Sequence, residues 1–263
     1  MSDIMSDDQI RVYWQTGCTS CLRTKEFLTR HGVSFQSRDV LNDETAFEEL
    51  ASFGLRQVPI VTRGREWANG QVLADIARLA GIPWGEQKLL PVPELRRRLF
   101  AVLEGADRFF GQLPEGAIGT LLPNRPRSYA DLTYHIFNIA DAFLEEADRI
   151  PLTFDSYNRV PPPGMGGQAA ILAYGLDVRK RLAAWFDGPG RLVDWNGRAE
   201  VYYGEQTRHQ FLERTTWHAG QHVRQLAWVL DGMGIVPDRK LGPETFKDLP
   251  MPEKVWDDER IPA

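Results

Sequence analysis

Cysteine is nearly absent: the 263 residues hold two, Cys18 and Cys21. So close a pair cannot frame a disulfide-stapled fold, and no second cysteine pair exists to complete a four-thiolate zinc site. No apolar run approaches the roughly 20 residues that a membrane-spanning helix needs, so a membrane protein is not expected. Runs of lysine and arginine are missing too, and the formal charge is −5, which makes nucleic acid an unsuitable main partner. Residues 1–9 are acidic and polar where a secretory or transit peptide would be basic and then apolar. A dithiol in such a chain is expected in a reducing compartment, the cytoplasm.

In bulk the composition is ordinary, 43% apolar and 25% charged, which suits soluble domains with cores. The length is comfortable for two domains. The cysteines stand as Cys18-Thr19-Ser20-Cys21, directly after the apolar run Ile10–Trp14 and at the start of a helical stretch. A thiolate placed there meets unpaired backbone N–H groups and the positive end of the helix dipole, so its pKa falls and it becomes a nucleophile near neutral pH. Cys18 is the expected attacking sulfur. Cys21, one turn later and more buried, is the expected resolving thiol.

Strands are predicted over 10–14, 33–40, 58–62 and around Glu66-Trp67. Helices are predicted over 18–31, closed by Gly32, over 43–53, capped by Asn42 or Asp43 and ended by Gly54, and over 70–79. This α/β unit, read as βαββα, has its CxxC after the first strand and Gln57-Val58-Pro59 before the third, and it resembles a glutaredoxin. The resemblance implies a thioredoxin-like fold, a cis Pro59, and a Val58 whose N–H and C=O pair with a thiol substrate like an added strand, so that Val58 and Pro59 are the thiol-binding residues. Three features depart from the family. Thr19-Ser20 replaces the common Pro-Tyr, Gln57 stands where Thr is usual, and Trp67–Gln71 replaces the glycine pair and aspartate that help hold the carboxylates of glutathione.

The predicted organisation is a first domain over 8–84, a linker over 85–93 and a helical domain over 94–263. Apolar-striped helices are predicted from Pro93 to Leu113, from a Ser128 cap to Asp148, from Met165 or Gly167 to the region of Phe186, and from Thr207 to Gly234, making a four-helix bundle. The fold class expected is therefore α/β plus all-α. Asp194-Trp195-Asn196-Gly197 reads as a hairpin turn between two short strands. The Pro/Gly-rich run Val160–Gly167 reads as a cover or a connector, and the tail beyond Val236 as an arm across the bundle with Trp256 as its anchor.

Of five histidines, His218 and His222 stand four residues apart, which puts both imidazoles on one helix face at a span that a metal ion can bridge. His135, in the second bundle helix, is placed to face them and complete a three-nitrogen site. His209 falls out of phase, and His31 is placed to cap the first helix. Spacing alone fits two solvated or mutually satisfied polar residues equally well. Trp217, Leu226, Trp228, Val229 and Leu230 make this helix heavily apolar, however, and interior imidazoles are costly to desolvate without a ligand. Asp131, Asn138 and Gln225 lie where they would orient an imidazole.

His135 followed by His218-xxx-His222 and Val223-Arg224-Gln225-Leu226 resembles the DinB-like metalloprotein superfamily, over Pro93 to Ile235 or beyond. That resemblance implies a divalent metal ion, zinc foremost, held by His135, His218 and His222 with one position open. It also implies kinship with thiol-dependent S-transferases and maleylpyruvate isomerases, and it is compatible with a homodimer. Together the readings give a cytosolic thiol-dependent enzyme, in which a dithiol oxidoreductase domain is joined to a metal-dependent domain. The latter activates a small thiol, glutathione or a similar cosubstrate, toward an electrophile or for isomerisation. Two other readings stay open: a redox or metal sensor with a structural metal, and a plain disulfide reductase whose bundle serves dimerisation.

Overall fold

In the computed structural model, which describes residues 8–85 and 87–257, the apolar run at the start of the chain becomes strand β1 (Ile10–Trp14), inside a four-stranded sheet. On one side β1 pairs in parallel with β2 (Gln36–Asp39); on the other it pairs antiparallel with β3 (Ile60–Arg63), which in turn pairs antiparallel with β4 (Glu66–Asn69). A parallel neighbour requires a crossover, which α1 (Thr19–Arg30) supplies; α2 (Glu44–Ser52) carries the chain from β2 to β3, and α3 (Leu73–Ala80) follows β4. The order is βαβαββα: each strand and helix predicted for this unit is present, and the shorthand βαββα leaves out one strand–helix pair. The strand expected over 33–40 is shorter, β2 with the sequence Gln-Ser-Arg-Asp, a largely half-buried edge strand.

Burial explains the composition of β1. Val12 and Trp14 face an apolar cluster with Phe27 and Leu28 of α1 and Ile76 and Ala77 of α3, whereas Tyr13 and Ile60 face Ala46 and Leu50 of α2. With both sheet faces covered, no polar alternation is called for.

Residues Lys88–Met251 form a second compact unit, and the described residues before Lys88 form the first together with Pro252–Asp257. The second unit holds α4 (Val92–Gln112), α5 (Tyr129–Ala147), the short α6 (Phe154–Tyr157), α7 (Gln168–Asp187) and α8 (Arg208–Gly232). Helices α4 and α5 each pack on all the other long helices. Helix starts follow the side chains: Ser128 Oγ accepts the Asp131 N–H while the Asp131 carboxylate accepts the Ser128 N–H, and Thr207 with Gln210 repeats the arrangement for α8. Among the described residues no helix is long and apolar enough to cross a membrane.

The turn at Asp194–Gly197 does not separate two strands. Asp194 Oδ1 accepts the Asn196 N–H and closes the turn locally, and both two-residue strands, β5 (Arg198–Ala199) and β6 (Gln206–Thr207), come after it. The tail lies on the helical unit only as far as Met251, with Leu241 against Gly105, Phe246 against Gly220 and the Thr245 and Lys247 carbonyls accepting from Arg98. From Pro252 to Asp257 it belongs to the first unit, so Trp256 packs on Gly17 and does not anchor an arm on the bundle.

Gly175 of α7 abuts the buried ring of Phe137, and a Cβ built there would run into that ring. Replacing a helical glycine by alanine ordinarily stabilises by about 1 kcal/mol. Here Gly175→Ala should instead destabilise the helical unit by about 1–3 kcal/mol through overpacking, seen as a lower urea midpoint. An unchanged or higher midpoint would contradict this packing.

Candidate functional site

Gly17 turns β1 into α1 with φ +72°, a conformation that glycine adopts freely. Cys18 follows as the N-cap of α1, and its Sγ accepts the Cys21 N–H at 3.2 Å. The first helical turn concentrates unpaired N–H groups and the positive end of the dipole, which stabilises negative charge on that sulfur. Cys18 is half-buried and Cys21 has no exposed surface; the two are joined as a disulfide with Cα atoms 5.2 Å apart. The Val58–Pro59 peptide is cis, and Val58 packs against the same apolar cluster as Cys18. Gly70 comes so close to the Pro59 ring that a Cβ would overlap it, and Thr24 Oγ1 and Arg23 Nη2 donate to the carbonyls of Gly70 (2.8 Å) and Gln71 (2.7 Å). The proline, the segment after β4 and α1 are thus locked together.

In the helical unit His135 of α5 meets His218 and His222 of α8, with ring centroids 5.6 Å and 5.0 Å away, and one ligand atom from each of the three fits within 4.8 Å of the others. All three are buried. Gln225 Oε1 can only accept, so His222 Nδ1 donates to it at 2.7 Å and Nε2 keeps its lone pair, 3.1 Å from His218 Nε2. His218 Nδ1 lies 2.9 Å from the Tyr157 hydroxyl, whose oxygen accepts from Arg214 Nη1 at 2.6 Å. Burial pushes the Tyr157 hydroxyl up to about 12, so it stays protonated at neutral pH. Among the described residues His135 Nδ1 has no hydrogen-bond partner, a buried orphan that a ligand or ion would satisfy.

Burial also lowers the pKa of each imidazole, His135 and His218 well below the ordinary value and His222 to about 3, and the charges of Arg127, Arg125 and Arg214 act in the same direction. The cluster is therefore neutral at pH 7, the form in which imidazole binds a metal ion. The donor set and the orphaned nitrogen fit a single divalent ion.

Of the residues expected to orient the imidazoles, Gln225 does so. Asp131 is engaged with Ser128, and Asn138 Nδ2 donates to the Ser156 and Tyr157 carbonyls at 3.0 and 3.2 Å, which fixes α6 and so delivers Tyr157. Nothing in the sequence pattern marks Tyr157, and little marks Arg214, as partners of the histidines. Arg214 stands four residues before His218, and that spacing in an apolar helix was its one available signal. His209 bonds the Leu90 carbonyl at 2.7 Å, away from the cluster, and His31 Nδ1 bonds the Phe27 carbonyl at 2.8 Å, capping α1. The run Val160–Gly167 is largely exposed.

Unfolded histidines titrate near 6.5 and the clustered ones lower, His222 at about 3, so between these values the unfolded chain binds more protons. Stability of the metal-free protein should rise with pH through that window and be lost as pH falls from 6.5. Urea unfolding of chelator-treated protein from pH 7 to pH 4 should be steeper in pH than that of His222→Gln. Parallel profiles for the two proteins would contradict the burial of a neutral His222.

Residues 10–67 match the family model described as Glutaredoxin. A relative from Bacillus subtilis (strain 168), N-acetyl-S-hydroxy-L-cysteine reductase, is 36% identical over 66 residues, which make up 25% of this chain and 68% of the relative. A solved glutathione S-transferase from Xanthobacter autotrophicus Py2 aligns over 89% of this chain and 97% of its own at 17% identity and a TM-score of 0.29, too loose a superposition to carry an argument. The match over residues 10–67 and the identity to a relative covered over two thirds of its length agree, and through its N-terminal domain the chain belongs to the glutaredoxin family.

Proposed function

We propose that the protein is a thiol–disulfide oxidoreductase joined to a DinB-like four-helix domain that uses a divalent metal ion and a small thiol. The oxidoreductase reading is carried by one observation, the Cys18 sulfur standing as the N-cap of α1. The Cys18 thiolate attacks a sulfur of a disulfide or of an S-hydroxylated thiol, forming a mixed disulfide; the other half leaves as a thiol or, from S–OH, as water, taking up a proton. Cys21 gives up its proton and attacks Cys18 Sγ. The substrate then departs as a thiol, and the dithiol, having supplied two electrons, becomes the disulfide. A small thiol such as glutathione returns the electrons. Val58, held by cis Pro59, offers its N–H and C=O to the substrate backbone. The name of the B. subtilis relative, a reductase of an S-hydroxylated cysteine derivative, favours a small S-modified thiol as substrate.

In the helical domain His135, His218 and His222 would hold the ion, with zinc the foremost candidate for three neutral nitrogens. Such an ion, when bound, supplies Lewis acidity that favours the thiolate form of a small thiol. The chain's own groups do the rest. Gln225 and Tyr157 hydrogen-bond two of the imidazoles, burial keeps all three neutral, and the positive charges of Arg127 and Arg214 act on the cluster with a sign suited to an anionic thiol such as glutathione. The thiol held there would be directed at an electrophile, in S-transfer or isomerisation. Among the described residues no Asp, Glu or Cys joins the three histidines, which favours an open position over the closed site of a sensor. A reduced dithiol with a small-thiol cosubstrate suits the cytoplasm.

Protein purified without a histidine tag should carry about one divalent ion per chain, measured by elemental analysis, and His222→Ala should lose it. No stoichiometric metal in either would remove this role from the helical domain. Cys18→Ser should lower the reduction of small disulfides at least about 100-fold while leaving metal content intact. If it leaves every thiol-consuming turnover unchanged, the dithiol takes no part in the chemistry.

A further inference from the structure

The segment Pro252–Asp257 is fixed to the dithiol unit by three separate contacts. The Glu26 carboxylate accepts two consecutive backbone N–H groups, from Glu253 at 2.6 Å and Lys254 at 3.0 Å. Lys25 and Asp257 pair at 2.8 Å with 10% and 8% of their side chains exposed, and the ammonium stands 3.7 Å from the centre of a Trp14 ring. Breaking so buried a pair is strongly unfavourable, which gives the segment a defined position. The third contact is the indole of Trp256, whose Cη2 would lie 2.7 Å from a Cβ at position 17. Gly17 immediately precedes Cys18, and its lack of a side chain permits both the turn and the close approach of the indole.

We propose that Trp256 is a specificity-determining wall of the dithiol site, set so that small thiol derivatives reach Cys18 and disulfides embedded in folded proteins do not. The inference rests on the reading of Cys18 as the attacking sulfur. A protein disulfide brings an extended stretch of chain that must lie across the surface around Cys18 and along Val58. At its edge beside Cys18 stands the indole of Trp256, against Gly17, and the segments on either side of α1 are fixed. Arg23 and Thr24 tie one side of α1 to Gly70 and Gln71, and Lys25 and Glu26 tie another to residues 253–257. Trp256 remains half-buried, so part of its indole is exposed for apolar contact with a small substrate.

The test uses the full chain with Cys21→Ser, reduced, so that Cys18 is the one thiol. Its labelling rates with N-ethylmaleimide and with a maleimide bearing a long polyethylene glycol chain are compared. The two probes share their chemistry, so their rate ratio reports access and cancels any change in thiolate fraction. Adding Trp256→Ala, or separately Glu26→Ala together with Asp257→Asn, which removes two of the segment's three anchors without altering the indole, should raise the relative rate of the large probe about five-fold or more. With both cysteines present, the same substitutions should raise kcat/KM for a protein disulfide relative to that for a small disulfide. Unchanged ratios in both variants would overturn the proposal. A wild-type protein that reduces no disulfide would overturn the dithiol reading instead, and the labelling ratio would still decide whether Trp256 forms a wall.

Discussion

Helix α8 carries an arginine, glutamines and two histidines into an interior where each must find its partner within the protein, and much of the helical unit answers to that requirement. A buried polar group left alone costs about 1–3 kcal/mol, more than a made hydrogen bond contributes net. Arg214 is accordingly flanked by the rings of Tyr157 and Tyr203 and donates to the Tyr157 hydroxyl. Tyr157 can be there only because the long connection after α5 forms a single turn of helix, held from α5 by Asn138. His222 is answered from its own helix by Gln225. His135 Nδ1 stays unanswered among the described residues, and it lies on the helix that faces the other two imidazoles.

The first unit resolves a different conflict. Its second helix is capped by the Asp43 carboxylate and α5 by the Ser128 hydroxyl, both strong caps, whereas α1 is capped by a thiol. The exchange gives up cap strength and gains a sulfur bathed in the field of the helix N-terminus. Compensation is visible nearby. Arg23, Thr24, Lys25 and Glu26 each bind a neighbouring segment, so α1 is held from several sides although its cap is weak.

Patterns that repeat within one element were legible in the sequence. The apolar run of β1, the stripes of the long helices, the one-turn spacing of His218 and His222 and the reach of Gln225 all follow from local periodicity. Facing partners were not, because helix phase tells which side a residue occupies and nothing of what stands opposite. Asp131 and Asn138 had the expected phase, yet one serves its own N-cap and the other a carbonyl pair on α6. The Tyr157–His218 and Tyr157–Arg214 contacts span 61 and 57 residues and leave no periodic trace. Strand β2 was legible as a strand, but its short polar sequence left its ends four residues too generous in all. The end of the tail was misplaced for the same reason, since the Lys25–Asp257 pair spans 232 residues and is invisible to any local reading.

The proposed function joins the two units through a thiol, and its most direct test is whether a thiol reaches the histidine cluster. Protein loaded with cobalt(II), titrated with glutathione while its absorption spectrum is recorded, should develop a thiolate-to-cobalt charge-transfer band that saturates at about one thiol per chain. A cobalt spectrum that glutathione leaves unchanged would contradict an open, thiol-activating site and make the three histidines a structural one.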